Sequence, residues 1–445
     1  MKVQKQFAKH FSEKNLKQLF EDYVFYSGAT GIDNLDPVTF KEQLNEQIKI
    51  ISRKALSGSY QFTKYKLKLV SKGRGKAPRE ISIPTVRDRI ALRALNDFLS
   101  ERFAPSLNIE LPQNVVKKVK NTLLSDKYSG YIKLDVSNFY PSIKHDEMLS
   151  RLRKRIKDEN IFSIIESAIS SPTMGTPTES YEISDIGVPQ GLAVSNVLSS
   201  IYMINIDNNL NKIPDIIYFR YVDDILIFCD YSNAQSIADN IIARFRKIGL
   251  KIHDPKTSPD KSSINRAGTP FSYLGYHFEK NTVSARKATV EKLKNSLSAI
   301  FTAYKYSKSK SEEFLLWRLN LRITGCVFEN KSKGWLFFFA EINDEKLLHE
   351  LDHYVRKLIK RFKVSIKPKR FSRTFKEMSH NRYETKYIPN FNNYGATEKL
   401  ALLEKYFPND VKDKTLTQAQ IDYFFHKRIG RQVKDLLEDV KDFRS

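Results

Sequence analysis

The sequence has few of the residues that mark secreted, membrane-spanning or disordered chains. Only two cysteines, Cys229 and Cys326, occur in 445 residues, so a disulfide framework is excluded. No Cys/His cluster has the spacing of a zinc site. The longest apolar run, Gly334 to Ala340, is much shorter than the roughly 18 residues of a membrane span. Glycine and proline number 16 each beside 41% hydrophobic residues, a composition that supports folded domains.

The N-terminal residues do not resemble an export signal. Residues 1–20 place charges in every helical turn and contain no uninterrupted apolar segment. Together with the scarcity of cysteine, this predicts a cytoplasmic protein in a reducing environment, without membrane association.

Basic residues clearly outnumber acidic ones. The chain has 75 Lys and Arg against 51 Asp and Glu, a formal net charge of +24. This excess indicates a polyanionic partner, and it favours nucleic acid over a membrane surface. Arg53–Arg79 holds nine basic residues and Arg356–Lys376 ten, neither segment with an acid. Phenylalanines interleave the second segment, as in surfaces that bind nucleic acid by charge and base stacking. A solvated charged face is the alternative explanation.

Hydrophobic periodicity predicts an α+β fold, with helices on one face of a mostly antiparallel sheet. Tyr65–Val70 and Arg79–Ile83 are strand-like runs joined by a basic turn. Tyr131–Val136 indicates a buried strand that includes an acid, and Ile216–Phe228 a hairpin with two acids at its turn. Helical patterns are predicted for 4–26, 37–56, 192–210 and 232–248 and for most of the chain after about residue 287.

The adjacent acids Asp223 and Asp224 lie inside an otherwise apolar run. An ionised carboxylate is costly to bury without a counter-charge or a metal ion. A third acid, Asp135, lies near the end of another apolar strand. Carboxylates from two strand ends are suitable ligands for Mg²⁺, and paired Mg²⁺ ions support in-line phosphoryl transfer. Taken alone the doublet is weak evidence, because Asp pairs commonly cap turns.

The segments around these acids resemble the motifs of reverse transcriptases, in the order in which that family has them. The resemblance extends over most of the first 285 residues. It is carried by Asp135–Tyr140, Gly187–Asn196, Tyr221–Asp224, Gly249–Thr257 and Tyr273–Tyr276.

The resemblance implies a catalytic centre in the palm of a right-hand polymerase. Asp135, Asp223 and Asp224 would hold two Mg²⁺ ions, for which Mn²⁺ could substitute, and the backbone carbonyl of Val136 would be a further ligand. Lys256 would donate a proton to the leaving pyrophosphate, although an ordinary surface lysine is the alternative.

The same resemblance implies a binding site for the incoming dNTP. Arg79 and Lys72 would grip the triphosphate, and the amide of Gln190 would contact the pair of template and nucleotide. Tyr140 would stack under the sugar and exclude a 2′-hydroxyl, unless it is simply a core residue. The primer grip would consist of Tyr273, Leu274, Gly275 and Tyr276.

Domain boundaries follow from the resemblance and from the change in sequence pattern near residue 287. We expect fingers in 1–130, with an insertion at 141–190, and a palm in 131–285. A helical thumb is expected in 286–365 and a basic helical extension in 366–445.

Gly28–Asp33, Arg79–Pro84 and Asp88–Arg89 are similar to the prokaryotic branch that contains group II intron, retron and abortive-infection or defence-associated enzymes. No Cys/His endonuclease cluster or RNase H pattern is evident after the basic segment. The resemblance thus implies a bacterial antiphage-defence reverse transcriptase that uses a non-coding RNA and dNTPs to make DNA. A partner protein or a homo-oligomer is left open.

Two other functions stay open at this point. The chain could polymerise DNA without a template or from a protein primer, as the resemblance to abortive-infection enzymes implies, and the hydroxyl side chains of its C-terminal part could serve as such a primer. It could also be a catalytically silent RNA-binding scaffold. An inactive site would be free to lose its acids, and the presence of all three therefore argues against this alternative.

Overall fold

The computed structural model describes residues 2–443 except 72–74, 76, 108, 177–183, 382–383 and 412–414. The chain divides into two compact units, 1–109 with 129–265 and 110–128 with 266–445. Both units combine helices with mostly antiparallel sheets, which confirms the predicted α+β class. The division into fingers, palm, thumb and extension stays a prediction.

Thirteen strands occur in the described residues, and the sequence predicted the first two with their observed ends. In chain order they are β1 Tyr65–Val70, β2 Arg79–Ile83, β3 Gly130–Ser137, β4 Thr173–Met174, β5 Ile217–Tyr221, β6 Asp224–Cys229, β7 Lys251–Ile252, β8 Ser263–Arg266, β9 Phe271–Tyr273, β10 Tyr276–Glu279, β11 Thr282–Ala285, β12 Cys326–Phe328 and β13 Lys331–Lys333.

Eighteen α-helices occur in the described residues. They are α1 Val3–His10, α2 Glu13–Leu19, α3 Pro37–Glu42, α4 Leu44–Leu56, α5 Val86–Phe103, α6 Pro112–Leu124, α7 His145–Arg153, α8 Glu159–Ser170, α9 Ser195–Leu210, α10 Ala234–Lys247, α11 Lys287–Tyr306, α12 Glu312–Thr324, α13 Trp335–Phe338, α14 Glu345–Phe362, α15 Phe371–His380, α16 Ala396–Tyr406, α17 Pro408–Val411 and α18 Gln418–Leu437.

The first unit is built around the sheet β5-β6-β3-β7, in which β8 also pairs with β3. A second sheet has the order β2-β1-β4. Strand β3 pairs antiparallel with both β6 and β7, and its side chains Ile132 and Leu134 are fully buried. Helix α9 is buried on most of its circumference, which explains why its sequence lacks a clear polar face. The predicted central hairpin is therefore a core element of this unit.

The helical pattern predicted for 4–26 corresponds to more than one helix. Helix α1 ends at His10, and the Ser12 hydroxyl then accepts a hydrogen bond from the Asn15 backbone N–H at 3.4 Å. That contact caps the new helix α2. A π-helical turn, Phe20–Val24, follows α2.

The second unit carries the sheet β9-β10-β11, the small hairpin β12-β13 and most of the C-terminal helices. Helix α11 begins at Lys287, where the sequence pattern changes. The hairpin β12-β13 was not predicted, because its two three-residue strands are too short for a periodic pattern. None of the helices within the described residues has the length and apolar content that a bilayer span needs.

Candidate functional site

The three predicted acids are brought to one end of the β3–β6 pair. Asp135 is directly opposite Asp224 in the antiparallel register. Side chains opposed in this way lie on the same face of a sheet, with Cβ atoms about 5 Å apart. Asp223 lies in the adjoining turn, where its carbonyl accepts a hydrogen bond from the Val136 N–H at 3.2 Å. Strand pairing thus joins segments that are far apart in the sequence.

The turn between β5 and β6 has a conformation that its sequence disfavours. Tyr221 pairs with Asp224, so Val222 and Asp223 are the two residues of the turn. Val222 has a φ of 56°, which is strained for a β-branched side chain. The turn fixes the direction of Asp223.

A buried ion pair supports this turn. Arg220 donates hydrogen bonds to the Asp207 carboxylate at 2.8 Å and to the Val222 carbonyl at 3.0 Å. Tyr218 donates to the same carboxylate at 2.9 Å. Helix α9, which carries Asp207, therefore holds the strained turn. The sequence analysis identified neither Arg220 nor Asp207, because their contact depends on the tertiary fold.

The surroundings of Asp223 and Asp224 disfavour the ionised form of both carboxyl groups. Burial raises the pKa of Asp223, and repulsion from Asp135 raises it further, whereas the charges of Arg79 and Lys261 lower it. Burial and repulsion from Asp223 raise the pKa of Asp224 to about 7. A cation bound between these carboxylates would relieve the repulsion.

Two cationic or titratable side chains lie beside Asp135. The Lys261 ammonium is 3.5 Å and the His253 Nε2 3.4 Å from Asp135 Oδ2. The Asp135 backbone is fixed as well, because its N–H donates to Ser262 Oγ at 3.1 Å and its carbonyl accepts from the His253 N–H at 3.0 Å. Sequence reasoning missed Lys261, since no spacing rule connects it with Asp135.

Among the described residues, no group of three or more His, Cys, Asp and Glu side chains is arranged as a metal site. The predicted set of Asp135, Asp223, Asp224 and the Val136 carbonyl therefore stays a prediction. Its oxygen donors and its repelling carboxylates are chemically suited to a hard cation such as Mg²⁺.

The loop that carries Gln190 is tied to the strand that carries Arg79. The Gln190 carbonyl accepts a hydrogen bond from the Ser82 N–H at 2.7 Å. A Cβ on Gly191 would lie 2.7 Å from Ile81 Cγ2, so glycine allows β2 to approach this loop closely. Arg79 is near enough to lower the pKa of Asp223 by its charge. Arg79, Gln190 and Asp223 are thus gathered in one region of the first unit.

The other end of the same loop is held by side chains. His145 Nε2 donates to the Gly187 carbonyl at 2.6 Å, and Ser195 Oγ donates to the Pro189 carbonyl at 2.6 Å. The Val188 N–H donates to the Tyr140 carbonyl at 2.9 Å. Hydrogen bonds at three successive positions therefore position Gln190.

Tyr140 lies close to the acids. Burial raises the pKa of Tyr140 to about 12, and the charge of Asp223 contributes to this rise. Its hydroxyl donates to Asn196 Oδ1 on α9. The ring is thus near the position that a sugar-contacting side chain would need.

The two predicted lysines differ in what the structure shows. Lys72 lies outside the described residues. Lys256 is exposed, and its backbone N–H donates to Asp254 Oδ1 at 2.8 Å. Its role in proton donation stays a prediction.

The predicted primer grip forms a hairpin in the second unit. Tyr273 pairs with Tyr276 across a turn in which Leu274 and Gly275 have φ values of 49° and 82°. The side chains of Tyr273, Leu274 and Tyr276 are buried, and the Tyr276 hydroxyl donates to the Phe338 carbonyl. Because these side chains lie in the core, we expect any contact with a primer to be made by the backbone of the turn.

Residues 70–278 match the family described as reverse transcriptase (RNA-dependent DNA polymerase). The chain contains a reverse transcriptase domain. The matched range includes every site residue named above, from Lys72 to Tyr276. This match confirms the predicted enzyme class, reverse transcriptase, and a domain of this class implies an RNA template and a DNA product. Reverse transcriptases generally use divalent metal ions.

Three curated proteins resemble this chain at the level of sequence. Protein YkfC of Escherichia coli is 24% identical over 290 residues, which are 55% of this chain and 74% of that protein. An uncharacterized 91 kDa protein in cob intron of Schizosaccharomyces pombe is 24% identical over 40% of this chain. A putative COX1/OXI3 intron 1 protein of Saccharomyces cerevisiae is 21% identical over 44% of this chain. The alignments span 23% and 24% of the two fungal proteins.

Solved telomerase structures show a distant likeness. Apo telomerase from Candida tropicalis has a TM-score of 0.47 at 14% identity, covering 97% of this chain and 75% of that chain. Telomerase from Candida albicans in complex with a TWJ fragment of telomeric RNA has a TM-score of 0.43 at 13% identity, covering 92% and 66%. Scores at this level carry no argument about function.

Proposed function

We propose that this reverse transcriptase extends a DNA strand from dNTPs by two-metal phosphoryl transfer centred on Asp135, Asp223 and Asp224. The observation that supports the proposal most is the register that sets Asp135 opposite Asp224 and beside the turn of Asp223. Raised pKa values at Asp223 and Asp224 indicate a site that favours a bound cation.

Asp135, Asp223 and Asp224 would hold the metal ions, with the Val136 carbonyl as a further ligand. When bound, Mg²⁺ would stabilise the charge on the transferring phosphoryl group and favour ionisation of the attacking hydroxyl. Lys261 is the counter-charge of Asp135 in this structure, so it would have to yield part of that contact to a metal ion.

The remaining residues would position the nucleotide. Arg79 would bind the triphosphate through its planar guanidinium, and the amide of Gln190 would contact the pair of template and nucleotide. The ring of Tyr140 would exclude a 2′-hydroxyl. Lys72 and Lys256 keep their proposed roles in triphosphate binding and in protonation of pyrophosphate.

The biological setting is proposed from the sequence resemblance alone. Similarity to the prokaryotic branch supports a cytoplasmic enzyme that copies a non-coding RNA in antiphage defence. If so, cells that express the chain with its RNA should form fewer phage plaques than cells with the Asp223→Asn variant. Equal plaque numbers would contradict the defence role and leave the polymerase proposal standing.

Primer extension on an RNA template tests the chemistry. With Mg²⁺ and dNTPs, Asp223→Asn and Asp135→Asn should each lower the rate by at least about 10³-fold, because each removes charge needed at the metals. RNA affinity should stay within about threefold of the unsubstituted chain. The matched control is Asp239→Asn, an exposed acid on α10.

Three outcomes separate the possible functions. Loss of extension only in the site variants supports the proposal. Extension at full rate by Asp223→Asn contradicts the metal assignment. DNA synthesis without any RNA template, or DNA that stays attached to protein after denaturation, contradicts templated synthesis instead.

A further inference from the structure

The hydroxyl of Tyr140 has no part in the proposed stacking under the sugar. It donates to Asn196 Oδ1, near the start of α9 and 56 residues away in the sequence. Ser199, on the same helix, donates from its hydroxyl to the Asn196 carbonyl at 3.0 Å. Helix α9 therefore supplies a polar attachment point for the free end of the ring.

Tyr140 is held at its backbone and at its hydroxyl. The Tyr140 backbone carbonyl accepts the Val188 N–H at 2.9 Å, which links this residue to the loop of Gln190. The ring also packs against the buried ring of Phe139, with centroids 5.5 Å apart at an angle of 60°. The hydroxyl bond to Asn196 removes the remaining freedom of the side chain, and the raised pKa keeps the phenol protonated, so it continues to donate.

A residue that excludes one hydroxyl group must be placed accurately. Displacement of a contact by about 1 Å is enough to change reaction rates substantially, and functional side chains depend on supporting hydrogen bonds for this accuracy. A free Tyr140 ring could turn aside and admit a 2′-hydroxyl. The bond at its far end is the contact that would prevent such a movement.

We propose that Asn196 is a positioning residue that fixes the Tyr140 ring and thereby sets the discrimination between deoxyribonucleotides and ribonucleotides. This inference rests on the proposed function, because it assumes that the ring faces the sugar of an incoming nucleotide. Asn196 acts through Tyr140 and has no direct part in the chemistry.

The test measures kcat/KM for a dNTP and for the matching rNTP during primer extension. Asn196→Ala should lower the ratio of the two values at least about tenfold, mainly through faster rNTP incorporation. Tyr140→Phe keeps the ring but removes the donor, so it should lower the ratio to a similar extent. The double variant should be no worse than either single variant, because both remove the same bond.

Two controls separate positioning from folding. Asn209→Ala removes an exposed asparagine from the same helix and should leave the ratio unchanged. Asn196→Asp keeps an acceptor for the Tyr140 hydroxyl and should retain most of the discrimination. Its added charge affects both nucleotides alike, since dNTP and rNTP carry the same triphosphate.

The outcomes distinguish this inference from the proposed function. If the unsubstituted chain incorporates no dNTP, the proposed function fails. If it incorporates dNTPs and Asn196→Ala leaves the sugar ratio unchanged while thermal unfolding is also unchanged, the positioning role is wrong. If Asn196→Ala does not fold, Tyr140→Phe alone decides: an unchanged ratio overturns the proposal, and a lowered ratio supports it.

Discussion

Asp224 is a residue whose charged form opposes folding. Its pKa is about 7 in the folded chain, against 3.8 for an ordinary aspartate, because burial and the charge of Asp223 disfavour ionisation. Between these two values the folded chain retains a proton that the unfolded chain has lost. Stability is therefore expected to fall as the pH rises from about 4 through 7, in the absence of a metal ion.

The first prediction concerns Asp224→Asn, which removes this charge without changing the shape of the side chain. At pH 8 in EDTA the variant should be more stable than the unsubstituted chain by about 1 kcal/mol or more, because no buried carboxylate has to ionise. Near pH 4 the difference should disappear. Chemical denaturation at both pH values measures this.

The same Asp224→Asn variant should lose polymerase activity. The charge whose removal stabilises the fold is one that the proposed metal site needs. Asp239→Asn, on the exposed face of α10, should change neither quantity. If the Asp224→Asn variant were less stable than the unsubstituted chain at pH 8, the charge of the Asp224 carboxylate would have to be stabilised by neighbouring groups in the folded chain.

The second prediction concerns Arg220, which joins Asp207 to the strained turn at Val222. Both partners of the ion pair are nearly buried, with side-chain exposures of 7% and 11%. Arg220→Met should destabilise the fold by about 3–5 kcal/mol, because it leaves a buried carboxylate without its counter-charge. Denaturant unfolding measures this loss.

A double variant separates stability from function at this position. Arg220→Met with Asp207→Leu replaces the pair by apolar side chains and should recover most of the stability. It should not recover activity, because the Val222 carbonyl still lacks its donor. Recovery of both would show that the ion pair serves the fold alone.

At the residue scale, the sequence predicted side chains that lie in a local motif and missed contacts that only the fold creates. Asp135, Asp223 and Asp224 each lie in a short recognisable segment, and the structure brings these segments together. Lys261 and Asn196 reach the site across 126 and 56 residues, respectively. Side-chain contacts of this kind depend on the tertiary fold, which no local sequence pattern states.

At the scale of elements, the contact between β2 and the loop of Gln190 organises the nucleotide site. The Ser82 N–H bonds the Gln190 carbonyl, and Gly191 leaves room for Ile81. Because Arg79 begins β2, this contact couples the proposed triphosphate grip to the proposed base contact.

The third prediction concerns Gly191→Ala. The new Cβ would lie 2.7 Å from Ile81 Cγ2, and the φ of 100° is unfavourable for any residue with a Cβ. Displacement of β2 should raise the KM for dNTP by about tenfold or more, with a smaller change in RNA affinity. Steady-state extension kinetics and RNA titrations measure the two effects.

Ile81→Ala in the Gly191→Ala background gives the matched control. It removes the closest contact but neither the 3.2 Å approach to the Ser82 carbonyl oxygen nor the backbone strain, so it should restore part of the dNTP affinity. An unchanged KM in the single variant would mean that the spacing of β2 and this loop is not critical.

The elements themselves were predicted unevenly, for physical reasons. Strands β1 and β2 and the hairpin around Val222 were predicted because apolar runs end at clear turn signals. Residues 4–26 were predicted to be helical, but the break at Ser12 was not predicted, because a serine cap is compatible with the continuing periodicity.

At the scale of the whole molecule, the net charge of +24 predicts binding dominated by phosphate contacts. Part of this charge is the basic segment Arg356–Lys376, whose Arg356, Lys360 and Lys367 are exposed. The fourth prediction is that replacing these three by glutamine weakens RNA binding. The slope of log K against log salt should become shallower by about 0.7–0.9 for each RNA phosphate that the variant no longer neutralises.

The control removes equal charge elsewhere. Lys14, Lys17 and Lys49 are exposed on the first unit, and their replacement by glutamine should leave the slope nearly unchanged. Equal effects of the two triple variants would show that binding follows total charge and not the basic segment.

The proposed chemistry requires that Asp135 and Asp223 bind the divalent ions of DNA synthesis. A crystal structure of the chain with RNA template, DNA primer, an unreactive dNTP analogue and Mn²⁺ would locate these ions by their anomalous scattering. We predict peaks in contact with the carboxylates of both residues and with the triphosphate. A fully bound nucleotide with no manganese at either carboxylate, or with its ions held elsewhere, would refute the assignment of these two aspartates.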